Sequence, residues 1–365
     1  PNNYLHNKDE NMNIIKAGSV GHGYDCSKYF INYILNLTYP NKTIIFENSE
    51  DCDVIIYTHF TRSEDFWNKK PKPFILWNGE KYGLPSNIKN SSNKIIISSI
   101  DTNKDLMIPY AFHAYIEYVH RNLWLKYKNI IHINKRNKLF GYCISADRGP
   151  NERKDFIDTF TKKSNDIYAL GRYKHEGSKI DQTDGNWNDD ILQQKYSEFK
   201  FIFAAENLVK KGYITEKIIN AFSSGSIPIY LGDSEYAKQI FNPNSFICID
   251  DFKNHSECVD YILNLSEEQI QNYYNESIFN NTTESDIFNE VNNEQSTENI
   301  KIINSVKKLL NDDIEICNDD IYDNTIDSNT IQSVVINLKD APQKYSAMSN
   351  KLTMFEIPHK RFNGI

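Results

Sequence analysis

Two apolar strand runs with one helix between them limit the fold of this sequence more than any other feature. FKFIFAAE at 199–206 and IPIYLG at 227–232 are near-continuous apolar stretches, the pattern of strands buried on both faces. The helix between them begins near Thr215, buries Ile218, Ala221 and Phe222 on one stripe, and is ended by Gly225. LFGYCIS and IYALG extend the same pattern upstream, with a helix near Glu152 that buries Phe156, Ile157 and Phe160. Alternating buried strands and helices predict an α/β lobe with a largely parallel sheet.

The first part of the chain repeats this logic. Runs rich in β-branched residues at 14–15, 43–46, 54–57, 74–77 and 95–97 read as strands, and Phe30, Tyr33, Ile34 and Leu37 fall at helical spacing between the first two. At 365 residues the chain suits two lobes facing a cleft, with some chain left over. The boundary falls in the polar stretch NKRN at 134–137, so that 1–135 forms one lobe and 136–283 the other, closed by a helix around 266–274. Residues 284–332 are acidic and Asn-rich, with helical periodicity only in KIINSVKKLL, and read as a linker region. Residues 333–365 then read as strand, helix and short strand, a partial βαβ extension.

Composition removes several function classes. A net charge of −8 with no long Lys or Arg run argues against a nucleic acid partner, yet the near-neutral first three quarters leave room for a local phosphate site. The six cysteines form no CxxC pair and have no His at zinc-ligand spacing, so they are expected to be reduced, with the even count leaving an oxidised alternative open. No segment has the length and apolarity of a membrane span, and no signal peptide is visible. The chain is expected to be soluble, with a cytoplasmic place favoured and an upstream anchor left open because it starts at Pro1. Asn-x-Ser/Thr sites such as Asn36 and Asn281 arise too easily in an Asn-rich chain to decide secretion.

The chemistry concentrates where the two helices of the second lobe begin, at the carboxyl edge of its sheet, which is where open α/β sheets bind ligands. Arg153 and Lys217 lie in the first turns of these helices, and a cation there opposes the helix dipole by about 0.3–1 kcal/mol. A diphosphate between them would explain both placements, taking hydrogen bonds from helix N–H groups and from the two cations. The alternative is a pair of solvated side chains, which spacing does not eliminate.

The segment ENLVKKGYITEKIINAFSSGSIPIYLGD resembles the signature of the α1,3/α1,4-fucosyltransferase family, and a looser likeness runs over about 40–275, including LGRY at 170–173. The resemblance implies the GT-B arrangement of two Rossmann-like lobes, GDP-fucose as donor, a glycan or glycoconjugate acceptor and inversion of the anomeric centre; with Lys and Arg already placed for the phosphates, no metal cofactor is expected. By position, Arg153 and Lys217 match residues that neutralise the donor diphosphate. Asn207, Tyr213 and Glu216 match residues that contact phosphate, ribose or sugar, and Glu216 is carried as a second catalytic candidate. Glu80, in PFILWNGEKYG, resembles the Gly-Glu-Asn turn whose Glu is the family's proposed base, although Lys81 stands where the family has Asn. Inversion needs such a base on the face opposite the departing GDP.

Asp51-Cys52-Asp53 is not read as a metal site, because Asp53 introduces a strand rather than ending one, and Asn188-Asp189-Asp190 reads as a helix start. VVINLKDAPQKYSAMSNKL and KRFNGI resemble the opening of the family containing lipooligosaccharide and collagen galactosyltransferases, too short a piece to carry that activity. The expected function is metal-independent, inverting transfer of fucose from GDP-fucose, with α1,3 linkage. A transferase for another nucleotide sugar, or a catalytically silent binding module of a larger enzyme, remains open at this point.

Overall fold

A computed structural model describes residues 13–19, 24–47, 52–58, 73–80, 93–100, 104–145, 150–186, 188–289, 291 and 293–310. The chain divides into two units, Pro1–Ile314 and Glu315–Ile365. The second unit, the expected βαβ extension at 333–365, residues 311–332 of the acidic linker, Asp51 and Lys81 all lie outside the described residues.

The first lobe is a parallel sheet of β1 (Ile14–Ser19), β2 (Thr43–Glu47), β3 (Val54–Thr58), β4 (Phe74–Asn78), β5 (Lys94–Ser98) and β6 (Leu106–Met107), in the order β2-β1-β3-β4-β5-β6. All five residues of β3 and of β4 are buried, as their apolar runs, ended by Thr58 and Asn78, lead one to expect of central parallel strands. Helix α1 (Tyr24–Thr38) lies between β1 and β2 and buries Phe30, Ile34 and Leu37 of the expected stripe. Asp53 makes the polar turn before β3, its Oδ2 accepting the Lys16 N–H at 2.8 Å. Helices α2 (Tyr110–His120) and α3 (Lys126–Ile130) then lead to the second lobe.

That lobe contains β7 (Lys138–Tyr142), α4 (Asn151–Lys163), β8 (Ile167–Ala169), β9 (Lys179–Ile180), α5 (Asp190–Tyr196), β10 (Phe199–Ala205), α6 (Glu216–Ser224), β11 (Ile227–Leu231), α7 (Ser234–Ile240), β12 (Ile247–Cys248), α8 (His255–Leu263) and α9 (Glu267–Asn275). Its strands are parallel and ordered β12-β11-β10-β7-β8-β9, so the winding reverses between β7 and β10. This is the doubly wound dinucleotide-binding topology. Buried Arg136, just before β7, ties the lobe together by donating to Ser197 O and Ser224 O at 2.8 Å each and to Ile131 O at 3.2 Å.

The chain then returns. Helix α10 (Asp286–Asn289) and helix α11 (Thr297–Leu309) follow the second lobe, and α11 packs on α1 of the first, where Tyr33 Oη donates to Asn299 Oδ1 at 2.9 Å. One apolar core therefore joins Phe30 and Phe112 of the first lobe, Ile218 and Phe222 of α6, and Ile302 and Val306 of α11. Helix α2 meets α6 in the same region, with Tyr118, Asn220 and Gln193 hydrogen-bonded in a buried network. Cys52, Cys143, Cys248 and Cys258 are free thiols, and among the described residues no helix is long and apolar enough to cross a membrane.

Candidate functional site

The reversal between β7 and β10 sends the chain to opposite faces of the sheet and leaves a crevice at the carboxyl ends of the strands. Phe201, Phe203 and Ala205 of β10 share a cluster with Phe156, Ile157 and Phe160 of α4, whereas Ile202 clusters with Ala221 of α6 and Ala204 with Ile218. The two-residue period of the strand thus seats one helix on each face. Arg153, in the first turn of α4, reaches across the reversal to Asn207, just beyond β10, and its Nη1 donates to Asn207 Oδ1 at 2.9 Å.

Lys217 enters from the other side. Its ammonium donates to Glu206 Oε2 at 3.3 Å, Thr215 Oγ1 at 2.8 Å and Glu216 Oε1 at 3.2 Å, which occupies its three N–H donors. Burial pushes the ammonium down, but the carboxylates of Glu206 and then Glu216 outweigh this and hold it above the ordinary lysine value. Burial lowers the Arg153 guanidinium, opposed by the charges of Glu206 and Tyr213. Arg153 is 5% exposed and the Lys217 side chain 21%, so the solvated reading of these cations fails. The protein's own carboxylates also compensate Lys217, so opposition to the helix dipole does not by itself call for a bound anion.

A more specific sign lies in the helix caps. Helices α5, α7, α8 and α9 each have a first-turn N–H taken by a capping side chain, from Asp189, Asp233, Asn254 and Ser266. Helices α4 and α6, preceded by Pro150 and Thr215, have no side-chain cap, and neither do α2 and α3, preceded by Pro109 and Leu125, so among the helices on the second lobe's sheet it is α4 and α6 that start uncapped. Proline has no capping group, and the Thr215 hydroxyl is diverted, donating to Glu206 Oε2 at 2.7 Å while it accepts from Lys217. The two helices that carry the cations therefore present uncapped N-termini, the arrangement that binds phosphate.

Tyr213 sits on the loop from β10 to α6, buried between these groups. Burial raises its phenol, Lys217 lowers it, and the charges of Glu206, Glu80 and Glu216 raise it further. The loop is fixed by Gly212, whose φ of +83° and the 2.7 Å that would separate a Cβ from the backbone Ser99 O leave no room for a side chain. Glu80 comes from the first lobe. It follows Gly79, where a Cβ would lie 2.3 Å from the Tyr110 ring, and Tyr110 in turn stacks on Trp77 of β4. That packing fixes the turn carrying Glu80, which is half-buried and whose charge reaches Tyr213.

Glu80, Arg153, Asn207, Tyr213, Glu216 and Lys217 thus fall in one set of hydrogen-bonded or electrostatically coupled groups. Sequence reasoning missed the acid at its centre, Glu206, which is fully buried. The signal was available: an ionisable residue that directly ends the buried run FKFIFAA at a carboxyl edge. A cavity of about 790 Å³ opens nearby, beside Met107, Pro109, Val209, Lys211 and Tyr236, but none of the set lines it.

Residues 133–317 match the model of glycosyltransferase family 10 (fucosyltransferase), C-terminal region. An alpha-(1,3)-fucosyltransferase of Helicobacter pylori is 52% identical over 66 residues, 18% of this chain and 14% of that protein. The mouse (Mus musculus) 4-galactosyl-N-acetylglucosaminide 3-alpha-L-fucosyltransferase 9 is 30% identical over 162 residues, 44% of this chain and 40% of that protein. The matched regions thus span less than half the length of these relatives. A crystal structure of an alpha1,3-fucosyltransferase superposes with a TM-score of 0.60 at 20% identity, covering 82% of this chain and 91% of that one. A crystal structure of an alpha1,3-fucosyltransferase with GDP-fucose superposes with a TM-score of 0.57 at 21% identity. The shared fold is GT-B.

Proposed function

Since this chain belongs to glycosyltransferase family 10, the fucosyltransferases, we propose that the crevice between β7 and β10 holds the donor of an enzyme that moves fucose from GDP-fucose to a glycan hydroxyl, with inversion and in α1,3 linkage. The observation that carries this reading is the meeting of Arg153, Asn207 and Lys217 at two helix N-termini without side-chain caps. The diphosphate takes first-turn N–H groups of α4 and α6, and Arg153 and Lys217 supply the countercharge that stabilises departing GDP. No metal cofactor is assigned to the site. Asn207, Tyr213 and Glu216 surround the ribose and sugar, and Glu216 lies where a carboxylate can stabilise an oxocarbenium-like transition state.

Glu80 takes the acceptor proton from the first-lobe side, so that 1–135 serves the acceptor and 136–283 the donor. Glu80→Gln is expected to lower transfer by about 10²–10⁴-fold with GDP affinity unchanged. Full turnover in that variant defeats the base assignment and leaves the donor site standing. Thermal stabilisation by a panel of nucleotide sugars tests the donor, with GDP-fucose expected to exceed other GDP and UDP sugars. A shift with UDP sugars alone would transfer the proposal to another donor.

A further inference from the structure

Glu206 is a buried acid to which the chemistry above gives no task. Its Oε1 accepts the Thr215 N–H at 2.7 Å, and its Oε2 accepts the Thr215 hydroxyl at 2.7 Å and the Lys217 ammonium at 3.3 Å. Its backbone N–H donates to Leu231 O at 2.8 Å. Gly232 makes room for its side chain, since a Cβ there would lie 2.8 Å from Glu206 Cγ.

We propose that Glu206 is a positioning residue for the donor phosphates: it anchors the Lys217 ammonium and draws the Thr215 hydroxyl away from the first turn of α6, keeping that turn open to an anion. This rests on the donor-site reading above. The two carboxylates on Lys217 are unequal partners. Glu216 has 18% of its side chain exposed and is free to exchange when a phosphate arrives, whereas Glu206 is fully buried, held by Thr215, and stays. In the empty site an ammonium held only by the exchangeable Glu216 would lack a fixed countercharge, so one permanent carboxylate keeps it ionised and in place until the phosphate arrives.

The test uses the full chain, with GDP as the calorimetric probe and thermal melting as the check on folding. Glu206→Gln preserves shape and removes the charge. It is expected to weaken GDP binding about tenfold or more, and the affinity should fall further from neutral pH to about pH 9.5 as the now poorly compensated lysine loses its proton. The wild type is the baseline over that range, and the loss is read as the ratio of the two affinities, which cancels the ionisation of the guanine base itself. Thr215→Val removes only the hydroxyl between Glu206 and Lys217 and should weaken binding severalfold with no new pH dependence. A folded Glu206→Gln that binds GDP as the wild type does, with the same pH profile, overturns the proposal. Should that variant not fold, undiminished binding by Thr215→Val overturns it instead. A wild type that does not bind GDP removes the donor-site reading and this one with it.

Discussion

Arg136 and Lys217 are both cations set into the second lobe, and the protein satisfies them in opposite ways. Arg136 is 2% exposed and is held by the carbonyls of Ile131, Ser197 and Ser224 and by the Ser226 hydroxyl at 3.3 Å. Those acceptors end α5 and α6 and begin the approach to β7, so the guanidinium closes helix C-termini whose carbonyls favour positive charge. Lys217 sits at the opposite end of α6, where positive charge is disfavoured, and is held by two carboxylates with 21% of its side chain open. The first arrangement agrees with the local field and is sealed, as a stabilising element should be. The second opposes the field and stays accessible, which is intelligible when an anion is to be received.

Arg136→Met is the strongest challenge to that contrast. It orphans the Ser197 and Ser224 carbonyls, at about 1–3 kcal/mol each, so unfolding in denaturant should show about 2–6 kcal/mol of lost stability. The folded fraction should retain its GDP affinity, and a selective loss of binding would erase the distinction. Lys217→Ala should do the reverse. Transfer is expected to fall about 10²–10³-fold, read as kcat/KM, and the melting temperature falls as well, because fully buried Glu206 loses its cation, but by too little to account for the kinetic loss. A large drop in melting temperature without a kinetic effect would make Lys217 a second Arg136.

The smallest expected effect concerns Asp181, which receives Lys195 at 2.6 Å and also Lys138. Burial raises its carboxyl, but the hydrogen bonds from Lys138 and Lys195 outweigh this and hold it below the ordinary carboxylate value. With the folded-state value depressed, its contribution is complete above the unfolded value near pH 4 and is lost as pH falls through the lowered one. Asp181→Asn should cost about 1 kcal/mol or less at neutral pH, and the two proteins should converge in stability below about pH 3. A gap that persists in acid would show that packing, and not charge, is at work there.

The same two cations mark what the sequence discloses. Lys217 was legible because its meaning is local: it falls in the first turn of a helix that a strand, a stripe and a terminal glycine delimit. Arg136 lay in NKRN, which reads as a polar boundary, and nothing nearby announces acceptors from residues 131, 197–199 and 224–226. Glu206 falls between these cases. Its place at the end of a buried strand is visible in sequence, but its task depends on the chain turning back through Gly212 to bring Thr215 and Lys217 onto it. Tyr33 and Asn299, 266 positions apart, show the limit most plainly, since no periodicity in either helix names the other as its partner.

The return of α11 to the first lobe also bears on the order in which the protein is made. The second lobe is contiguous, from β7 to α9, and has all its strands once residue 275 has been synthesised. The first lobe emerges earlier, yet its α1 waits for Ile302 and Val306 before its apolar cover is complete. On a ribosome working from the N-terminus, the half begun first is therefore the half finished last, and it stays partly uncovered through the synthesis of the other.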